Sequence, residues 1–305
     1  MSKRVVIFGG SGFIGSHVAD ILTDAGYHVV IYDKKKSSYL RDTQEIIMGD
    51  VLDLTRVKEA VKDADYVYNF SGIADIGEAK IDPLQTIKMN ILGNSHILEA
   101  ARLNNVKRFI FASSLYVYSE LGSFYRSSKQ ACELIIEDFH KKYGLDYTIL
   151  RYGSLYGGRA DDHNFIHRAI KQALLEGKVT RKGNGEEIRE YIHVLDAARC
   201  SVEILSDEYK NQIAMITGLQ KTKIKDLLNM IKETLGDKVV IEYVDDTDDE
   251  HYTTTPYTFK PRVAQNYALN KYCDLSEGVL GVFHSVHEEL TKQNKCLQID
   301  FQNLK

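Results

Sequence analysis

A tyrosine and a lysine stand four residues apart in the segment SFYRSSKQACEL, residues 123–134. In a helix, Tyr125 and Lys129 would face the same side, where an ammonium group can stabilise a phenolate and make the tyrosine a general base. The spacing alone is weak evidence, because 19 tyrosines and 26 lysines give about 1.6 such pairs by chance. Two other pairs share it, Tyr32/Lys36 and Tyr267/Lys271. The surrounding elements must therefore identify the pair that does chemistry.

Length and composition predict a globular protein with room for one large core and a smaller lobe. The 305 residues are 44% hydrophobic and 27% charged, and the formal net charge is −4. That charge offers no electrostatic basis for nucleic acid or an anionic membrane as the main partner. Four widely spaced cysteines and the lack of a long apolar run predict a reduced, soluble, cytoplasmic protein. No cysteine or histidine pattern suggests a metal site.

Short apolar runs alternate with helical patterns through the first half of the chain. Runs such as RVVIFGG, HVVIYD and YVYNFSG are too continuous for half-exposed strands and indicate strands covered on both faces. The alternation predicts an α/β fold with a doubly wound parallel sheet, a Rossmann domain, over residues 1–155. One long helix is expected near Thr86–Leu103. Residues 156–305 are predicted to form a smaller, interleaved α/β substrate lobe, with residues 190–210 returning to the main core.

A glycine-rich turn between the first strand and the first helix predicts a dinucleotide site. FGGSGFIG supplies Gly9, Gly12 and Gly15, which let the backbone turn sharply and approach a pyrophosphate at the helix N-terminus. Asp33 ends the second strand, where a carboxylate accepts the ribose hydroxyls of NAD and repels the 2′-phosphate of NADP. The sequence therefore predicts NAD, and the adjacent Lys34 keeps NADP as an alternative.

With these motifs in this order, the chain resembles the extended short-chain dehydrogenase/reductase superfamily, and within it the NAD-dependent nucleotide-sugar epimerase/dehydratase family. The resemblance runs nearly end to end, through GGSGFIG, MGDVLD, NFSG, MNILGNSHILEAA, FASSLYVY, FYRSSKQACE, RYGSLYGGR and GNGEEIREYIHVLDAAR. It implies that Tyr125 is the general base and that Lys129 lowers the pKa of its phenol and holds the nicotinamide ribose. It also implies that Ser114 hydrogen-bonds the reacting oxygen.

The resemblance further implies which residues hold the cofactor and the substrate. The cofactor residues are Gly9, Gly12, Phe13, Ile14, Gly15, Asp33, Asp50, Val51, Ser71, Gly72, Asn90, Tyr125 and Lys129. The substrate residues are Ser114, Ser154, Arg189 and Arg262. Arg189 carries a planar guanidinium that suits a diphosphate, whereas Ser154 replaces an asparagine that is usual in the family. A homodimer built on the Asn90 and Tyr125 helices is also implied.

The reaction implied by the resemblance begins with oxidation of the C4 hydroxyl of a nucleotide-diphosphate sugar, in the synthesis of surface-glycan precursors. Family members that are 4,6-dehydratases carry an acid pair directly after the catalytic hydroxyl residue, where this chain has Leu115 and Tyr116. A 4-epimerase or a net C4 dehydrogenase is therefore expected, and the sequence does not separate the two. The alternatives are a 4,6-dehydratase, a 4-ketoreductase, a non-catalytic NAD-binding sensor and a dehydrogenase of steroid-like alcohols.

Overall fold

The structure is a computed structural model, and it describes residues 2–219, 221–235 and 239–245. Across these residues, the largest element is a parallel sheet of seven strands in the order β10-β6-β5-β4-β1-β2-β3. Its strands are β1 (Arg4–Phe8), β2 (His28–Asp33), β3 (Glu45–Met48), β4 (Tyr66–Asn69), β5 (Arg108–Ser114), β6 (Tyr147–Tyr152) and β10 (Gln212–Ile216). The predicted fold class, a doubly wound parallel sheet, is confirmed.

Helices cover both faces of this sheet. They are α1 (Phe13–Asp24), α2 (Leu54–Val61), α3 (Ile76–Ile81), α4 (Pro83–Thr86), α5 (Gly93–Leu103), α6 (Ser123–Tyr143) and α8 (Val194–Glu203). Within the described parts of the chain, no helix has both the length and the apolar character that a bilayer span requires.

Two apolar cores lie on opposite faces of the sheet, as successive strand residues point in opposite directions. On one face, Val6 and Phe8 belong to the core that includes Leu98 of α5. On the other face, Val5 and Ile7 pack with α1 and α8. Each buried side chain of this kind contributes roughly 1.5–3 kcal/mol of transfer free energy. Burial on both faces explains why these strands carry apolar residues at successive positions.

The seventh strand, β10, comes from beyond the range predicted for the sheet. Its residues pair in parallel with β6, from Gln212 opposite Thr148 to Ile216 opposite Tyr152. β10 lies at the edge of the sheet, and its Ile213 and Met215 are exposed. Its apolar run, IAMI, is only four residues long and lies beyond the regular alternation of strands and helices, so the sequence did not identify it as a strand of the main sheet.

The remaining described elements form two small sheets and two helices. Strands β7 (Ser154–Tyr156), β9 (Ile188–His193) and β11 (Lys221–Lys223) make one sheet, and β8 (Lys178–Lys182) pairs with β12 (Val240–Val244) in the other. Helices α7 (Phe165–Glu176) and α9 (Ile224–Thr234) share with β8 a third apolar core, which includes Ala169, Val179 and Leu228. The domain boundary near residue 155 stays a prediction.

Candidate active site

The glycine turn has the geometry of a backbone cradle. It connects β1 to α1, and the Gly12 N–H donates to the Gly9 carbonyl oxygen at 3.1 Å. Gly9 has a φ of +75°, and a Cβ there would lie 2.7 Å from backbone atoms of Phe70 and Ser71. A Cβ at Gly15 would overlap the Gly9 carbonyl oxygen. The absence of side chains at these positions leaves the first N–H groups of α1 open to a pyrophosphate, which is what NAD requires.

Asp33 lies at the end of β2, beside this turn. Its carboxylate accepts hydrogen bonds from the Ser11 N–H at 3.0 Å and the Lys35 N–H at 3.1 Å. The neighbouring Lys34 instead forms an ion pair with Asp50, with 3.0 Å between Nζ and Oδ2. Asp33 is therefore held by backbone groups, and its negative charge can face a ribose rather than a phosphate.

The Asp50–Val51 segment forms the next part of the predicted cofactor site. Burial raises the pKa of Asp50, but the Leu52 N–H and the Lys34 ammonium outweigh that effect, so its pKa is lowered overall. Val51 is buried, and its carbonyl oxygen lies 3.0 Å from His96 Nδ1. Phe13 and Ile14, in the first turn of α1, are half-buried. The adenine-binding role of the segment stays a prediction.

Asn90 connects the loop after β4 to helix α6. Its Oδ1 accepts the Ile73 N–H at 2.7 Å, and its Nδ2 donates to Ser128 Oγ of α6 at 2.9 Å. A Cβ at Gly72 would lie 2.5 Å from Asn90 Oδ1, so only glycine fits beside it. Ser71 hydrogen-bonds the Asn69 side chain through its N–H and hydroxyl. Ser71, Gly72 and Asn90 are thus brought together, and their place under the cofactor stays a prediction.

The helix predicted near Thr86–Leu103 is not a regular α-helix along its length. Residues Ile87–Leu92 form a π-helical segment between α4 and α5, and Asn90 lies within it. π-Helical segments occur often at functional sites because they widen the helix and redirect a side chain. Here the segment directs a buried amide toward the loop after β4, which a hydrophobic period could not have predicted.

Tyr125 and Lys129 lie one turn apart on α6, as the spacing predicts. Lys129 Nζ is 5.7 Å from the centre of the Tyr125 ring and donates to the Ala112 carbonyl oxygen at 2.8 Å. Burial lowers the pKa of Lys129, while Cys132 and Glu133 act to raise it. An ammonium held beside a phenol in a buried site favours the phenolate. The pair can therefore act as a general base and its stabilising cation.

Ser114 is the last residue of β5, two residues after Ala112, whose carbonyl oxygen accepts the Lys129 ammonium. Its Oγ accepts the Tyr116 N–H at 3.3 Å. The Tyr116 ring meets the Tyr125 ring edge to face, with 6.2 Å between ring centres. Tyr116 thus links the two groups, a contact that the sequence analysis missed because it considered Tyr116 only as a residue that cannot act as an acid.

The other two tyrosine–lysine pairs differ from this one. Tyr32 is fully buried, and its hydroxyl donates to the Asp50 carbonyl oxygen at 2.9 Å. Burial raises the pKa of Tyr32 to about 12, which is the opposite of what a general base at neutral pH needs. Tyr267 and Lys271 lie outside the described residues.

The predicted substrate residues belong to different parts of the structure. Ser154 and Arg189 lie on β7 and β9, neighbouring strands of the small sheet. Arg189 is 6% exposed, so it is not the surface arginine that an ordinary ion pair with Glu186 would produce. The Glu186 carboxylate contacts Lys223 at 2.7 Å and also Lys225. Arg262 lies outside the described residues. The substrate roles of these residues stay predictions.

A largely buried polar cluster near the Tyr125/Lys129 pair was also missed. It consists of Ser113, Tyr118, Glu133 and Arg151, and is called the Glu133 cluster below. Two signals were available: Glu133 lies four residues after Lys129 on one helix face, and Arg151 interrupts the apolar strand YTILRY. A charged residue in a buried strand requires a partner.

Over the described ranges, no group of three or more acidic, histidine or cysteine residues could hold a metal ion.

Comparison with known proteins agrees with this geometry. A family model described as "NAD dependent epimerase/dehydratase family" matches residues 5–216. The UDP-N-acetyl-alpha-D-glucosaminuronate decarboxylase of Bacillus cytotoxicus is 30% identical over 259 residues, 76% of this chain and 80% of that protein. The crystal structure of the Thermotoga maritima UDP-glucose 4-epimerase with UDP-glucose superposes with a TM-score of 0.78 at 26% identity, covering 84% and 90% of the two chains.

A second solved structure is similar to the same extent. The UDP-N-acetylglucosamine 4-epimerase of Methanobrevibacter ruminantium, in complex with UDP-N-acetylmuramic acid, gives a TM-score of 0.77 at 28% identity over 85% and 90% of the chains. The predictions of the family, of an enzyme and of NAD as cofactor are confirmed. This chain belongs to the NAD dependent epimerase/dehydratase family and is an NAD-dependent enzyme of the extended short-chain dehydrogenase/reductase type.

Proposed function

We propose that the protein oxidises the C4 hydroxyl of a nucleotide-diphosphate sugar and then returns the ketone with inverted geometry, as a 4-epimerase. The observation that carries this proposal is the position of Lys129 Nζ, 5.7 Å from the centre of the Tyr125 ring. Tyr116 connects this pair to Ser114 at the carboxyl end of β5, since its N–H donates to Ser114 Oγ and its ring meets the Tyr125 ring. The carboxyl edge is where ligands of such sheets bind.

Proton transfer is the step that this chain performs with its own residues. The Tyr125 phenolate removes the proton from the C4 hydroxyl while Ser114 Oγ hydrogen-bonds the same oxygen, and the proton returns when the ketone is reduced. Bound NAD supplies the hydride acceptor. Lowering the pKa of a tyrosine from about 10 to about 7 needs roughly 4 kcal/mol of differential stabilisation. The buried Lys129 ammonium contributes to this stabilisation at short range.

Residues after Ser114 favour chemistry at C4 alone. Leu115 is buried in the core, and Tyr116 packs against Tyr125. Neither side chain is a carboxylic acid, so neither can supply the additional acid and base that a 4,6-dehydratase needs. The Bacillus relative is a decarboxylase by name, whereas both solved structures described above are 4-epimerases. A 4-epimerase needs no catalytic acid beyond the pair that is present.

The second candidate is a net C4 dehydrogenase, because the first half of the reaction is the same. Absorbance of reduced nicotinamide distinguishes the two outcomes when candidate sugars are added. A product that forms without accumulating NADH supports the epimerase, and NADH formed in proportion to substrate supports the dehydrogenase. If neither product nor NADH forms, the non-catalytic NAD-binding sensor becomes the better interpretation.

Nucleotide-sugar binding is tested by thermal stability. We expect UDP-glucose at 100 times its Kd to stabilise the enzyme by about 2.7 kcal/mol, which raises Tm by about 5 °C for a protein of this size. The shift should be lost in Arg189→Ala, because the buried guanidinium is proposed to bind the diphosphate. NAD should stabilise both forms equally, which controls for folding.

The alternatives predict other results in the same experiment. GDP-, CDP- and dTDP-sugars test whether the UDP-sugars named for the relatives apply here. If NAD raises Tm and no nucleotide sugar does, the proposed substrate class is wrong. A steroid-like alcohol that stabilises both the wild type and Arg189→Ala would instead support the apolar-substrate alternative.

We also propose a homodimer formed by the helices that carry Asn90 and Tyr125. Several large apolar side chains of this region are exposed, namely Ile81, Leu84, Ile87, Leu92, Phe124 and Leu134. Burying such side chains between two copies removes apolar surface from water.

The cytoplasmic location of the protein and its role in supplying surface-glycan precursors remain predictions.

Substitution of Leu134 tests the dimer. Leu134 lies on α6 and is 64% exposed, so Leu134→Asp should leave the fold intact and place a charge in the interface. Light scattering should change from about twice the 34.7 kDa chain mass to the monomer mass. Leu174→Asp is the matched control, because Leu174 is 65% exposed but lies on α7. A wild-type monomer would contradict the proposal.

A further inference from the structure

The Glu133 cluster is a connected set of buried polar groups behind the catalytic pair. Glu133 is 6% exposed, and its Oε1 accepts the Ser113 hydroxyl at 2.5 Å and Arg151 Nε at 3.0 Å. Its Oε2 accepts Arg151 Nη2 at 2.5 Å, which makes the ion pair bidentate. Arg151 also donates to the Tyr118 hydroxyl. Bidentate pairs of this kind constrain geometry as well as charge.

Two residues of the Glu133 cluster are close in sequence to the residues proposed to be catalytic. Ser113 lies between Ala112, whose carbonyl oxygen accepts the Lys129 ammonium at 2.8 Å, and Ser114. Glu133 lies one helical turn beyond Lys129 on the buried side of α6. A displacement of Glu133 relative to β5 would therefore move Lys129 and Ser114 relative to each other.

The same cluster holds the turn that follows Ser114. Residues Leu115–Tyr118 form one turn of 3₁₀ helix, and Tyr118 is its last residue. The Arg151 guanidinium lies over the Tyr118 ring, with 4.5 Å between its central carbon and the ring centre. Tyr116, which contacts Tyr125, belongs to this turn. The Arg151 contacts with Tyr118 therefore constrain the segment that places Tyr116 against the catalytic base.

We propose that Glu133 is a positioning residue, which holds the Lys129 helix and the Ser114 strand in register and supplies the buried negative charge that Lys129 faces. This inference rests on the proposed function of Tyr125 and Lys129. It goes further in one respect: the Glu133 carboxylate keeps Lys129 charged, and it does so without needing to touch the substrate or the cofactor.

The charged and titratable groups that act on Lys129 come from helix α6 itself, namely Tyr125, Cys132 and Glu133. Groups from two other elements reach Lys129 only through Glu133: Arg151 and Tyr147 of strand β6 interact with Glu133, and Tyr118 of the 3₁₀ turn interacts with Arg151. Burial raises the pKa of Cys132 to about 12, so its thiol stays neutral below that pH. From β5, Lys129 meets only the Ala112 carbonyl and the Phe111 ring among the contacts described, and neither titrates. In this set, Glu133 is the carboxyl group, and it is paired with Arg151.

The sign of the expected effect follows from these charges. Burial already lowers the pKa of Lys129, and Glu133 opposes that shift. Glu133→Gln removes the negative charge and leaves the Arg151 cation uncompensated, and both changes lower the pKa of Lys129 further. Lys129 then loses its proton at a lower pH, and without the ammonium the Tyr125 phenolate is less stable. The alkaline limb of the pH–kcat profile should therefore move to lower pH.

The experiment compares pH–kcat profiles of the wild type with three variants. We expect Glu133→Gln to move the alkaline limb down by about one pH unit, a tenfold change in the proton-binding constant of Lys129. Glu133→Asp keeps the negative charge, so the alkaline limb should stay at its wild-type pH. It also shortens the side chain, so kcat should fall several-fold. Ser113→Ala removes only one hydrogen bond and should leave the limb unchanged. NAD affinity should be the same in all four proteins.

Other outcomes contradict the inference. If Glu133→Gln lowers Tm but keeps the wild-type limb and kcat, the cluster only stabilises the fold. If Glu133→Gln does not fold, Glu133→Asp decides, because a wild-type kcat in that variant would show that register does not matter. The Lys129 titration, followed by NMR in lysine-labelled protein and assigned with Lys129→Met, should show the same dependence without turnover. A failure of the proposed function is therefore distinguishable from a failure of this inference.

Discussion

Tyr125→Phe abolishes turnover of the nucleotide sugar while the protein still binds NAD. The substitution removes one oxygen and keeps the ring, so the edge-to-face contact with Tyr116 and the position of Lys129 beneath the ring are retained. Loss of a general base costs between about 10²- and 10⁴-fold in rate, and we expect a decrease of at least about 10³-fold in kcat. Chromatography of the sugar product measures the loss of turnover, and calorimetry with NAD measures whether the cofactor still binds.

Tyr143→Phe is the matched control for this experiment. Tyr143 is the last residue of the same helix, is half-exposed, and packs against Phe139 and Arg102. Removing its hydroxyl should change neither kcat nor NAD affinity. If Tyr125→Phe keeps more than about a tenth of the wild-type rate, the phenol is not the base. If it loses NAD as well as activity, the hydroxyl acts in cofactor binding rather than in proton transfer.

Gly9→Ala prevents cofactor binding, which is the second large effect. The new methyl group would meet the backbone of Phe70 and Ser71 at 2.7 Å, and the positive φ adds about 1–2 kcal/mol of strain. The Phe70 backbone cannot move away easily, because its N–H donates to the Phe8 carbonyl oxygen at 2.8 Å. We expect the Kd for NAD, measured by calorimetry, to rise at least about 100-fold, which corresponds to roughly 2.8 kcal/mol.

Gly26→Ala separates the collision from the backbone strain. Gly26 follows α1 with a φ of +83°, but a Cβ there would meet nothing within 4 Å. This variant should therefore lose about 1 kcal/mol of stability and keep wild-type NAD affinity. If both glycine variants bind NAD normally, close backbone approach at Gly9 is not what the cofactor requires. If Gly26→Ala alone weakens binding, local strain in α1 is the cause.

Sequence periodicity and turn chemistry were sufficient for the architecture of the first half. Continuous apolar runs predicted buried parallel strands, and glycines with Asp33 predicted the dinucleotide turn; both depend on residues that are near in sequence. The same reasoning missed β10, whose place at the edge of the sheet depends on pairing with β6. It also missed the π-helical segment around Asn90, because the amide's partners Ile73 and Ser128 are distant in sequence.

By itself, the sequence predicted the family, the cofactor and the tyrosine–lysine pair, because the glycine turn, Asp33 and the Tyr125/Lys129 spacing are each local in sequence and stand in a characteristic order along the chain. Only the tertiary structure decided which groups surround that pair. Lys34 pairs with Asp50, and Glu133 joins Ser113 and Arg151. These contacts connect segments that are separated along the chain, and burial strengthens those of Glu133 by excluding water. The electrostatics of the active site therefore belong to the packed fold and not to any one motif.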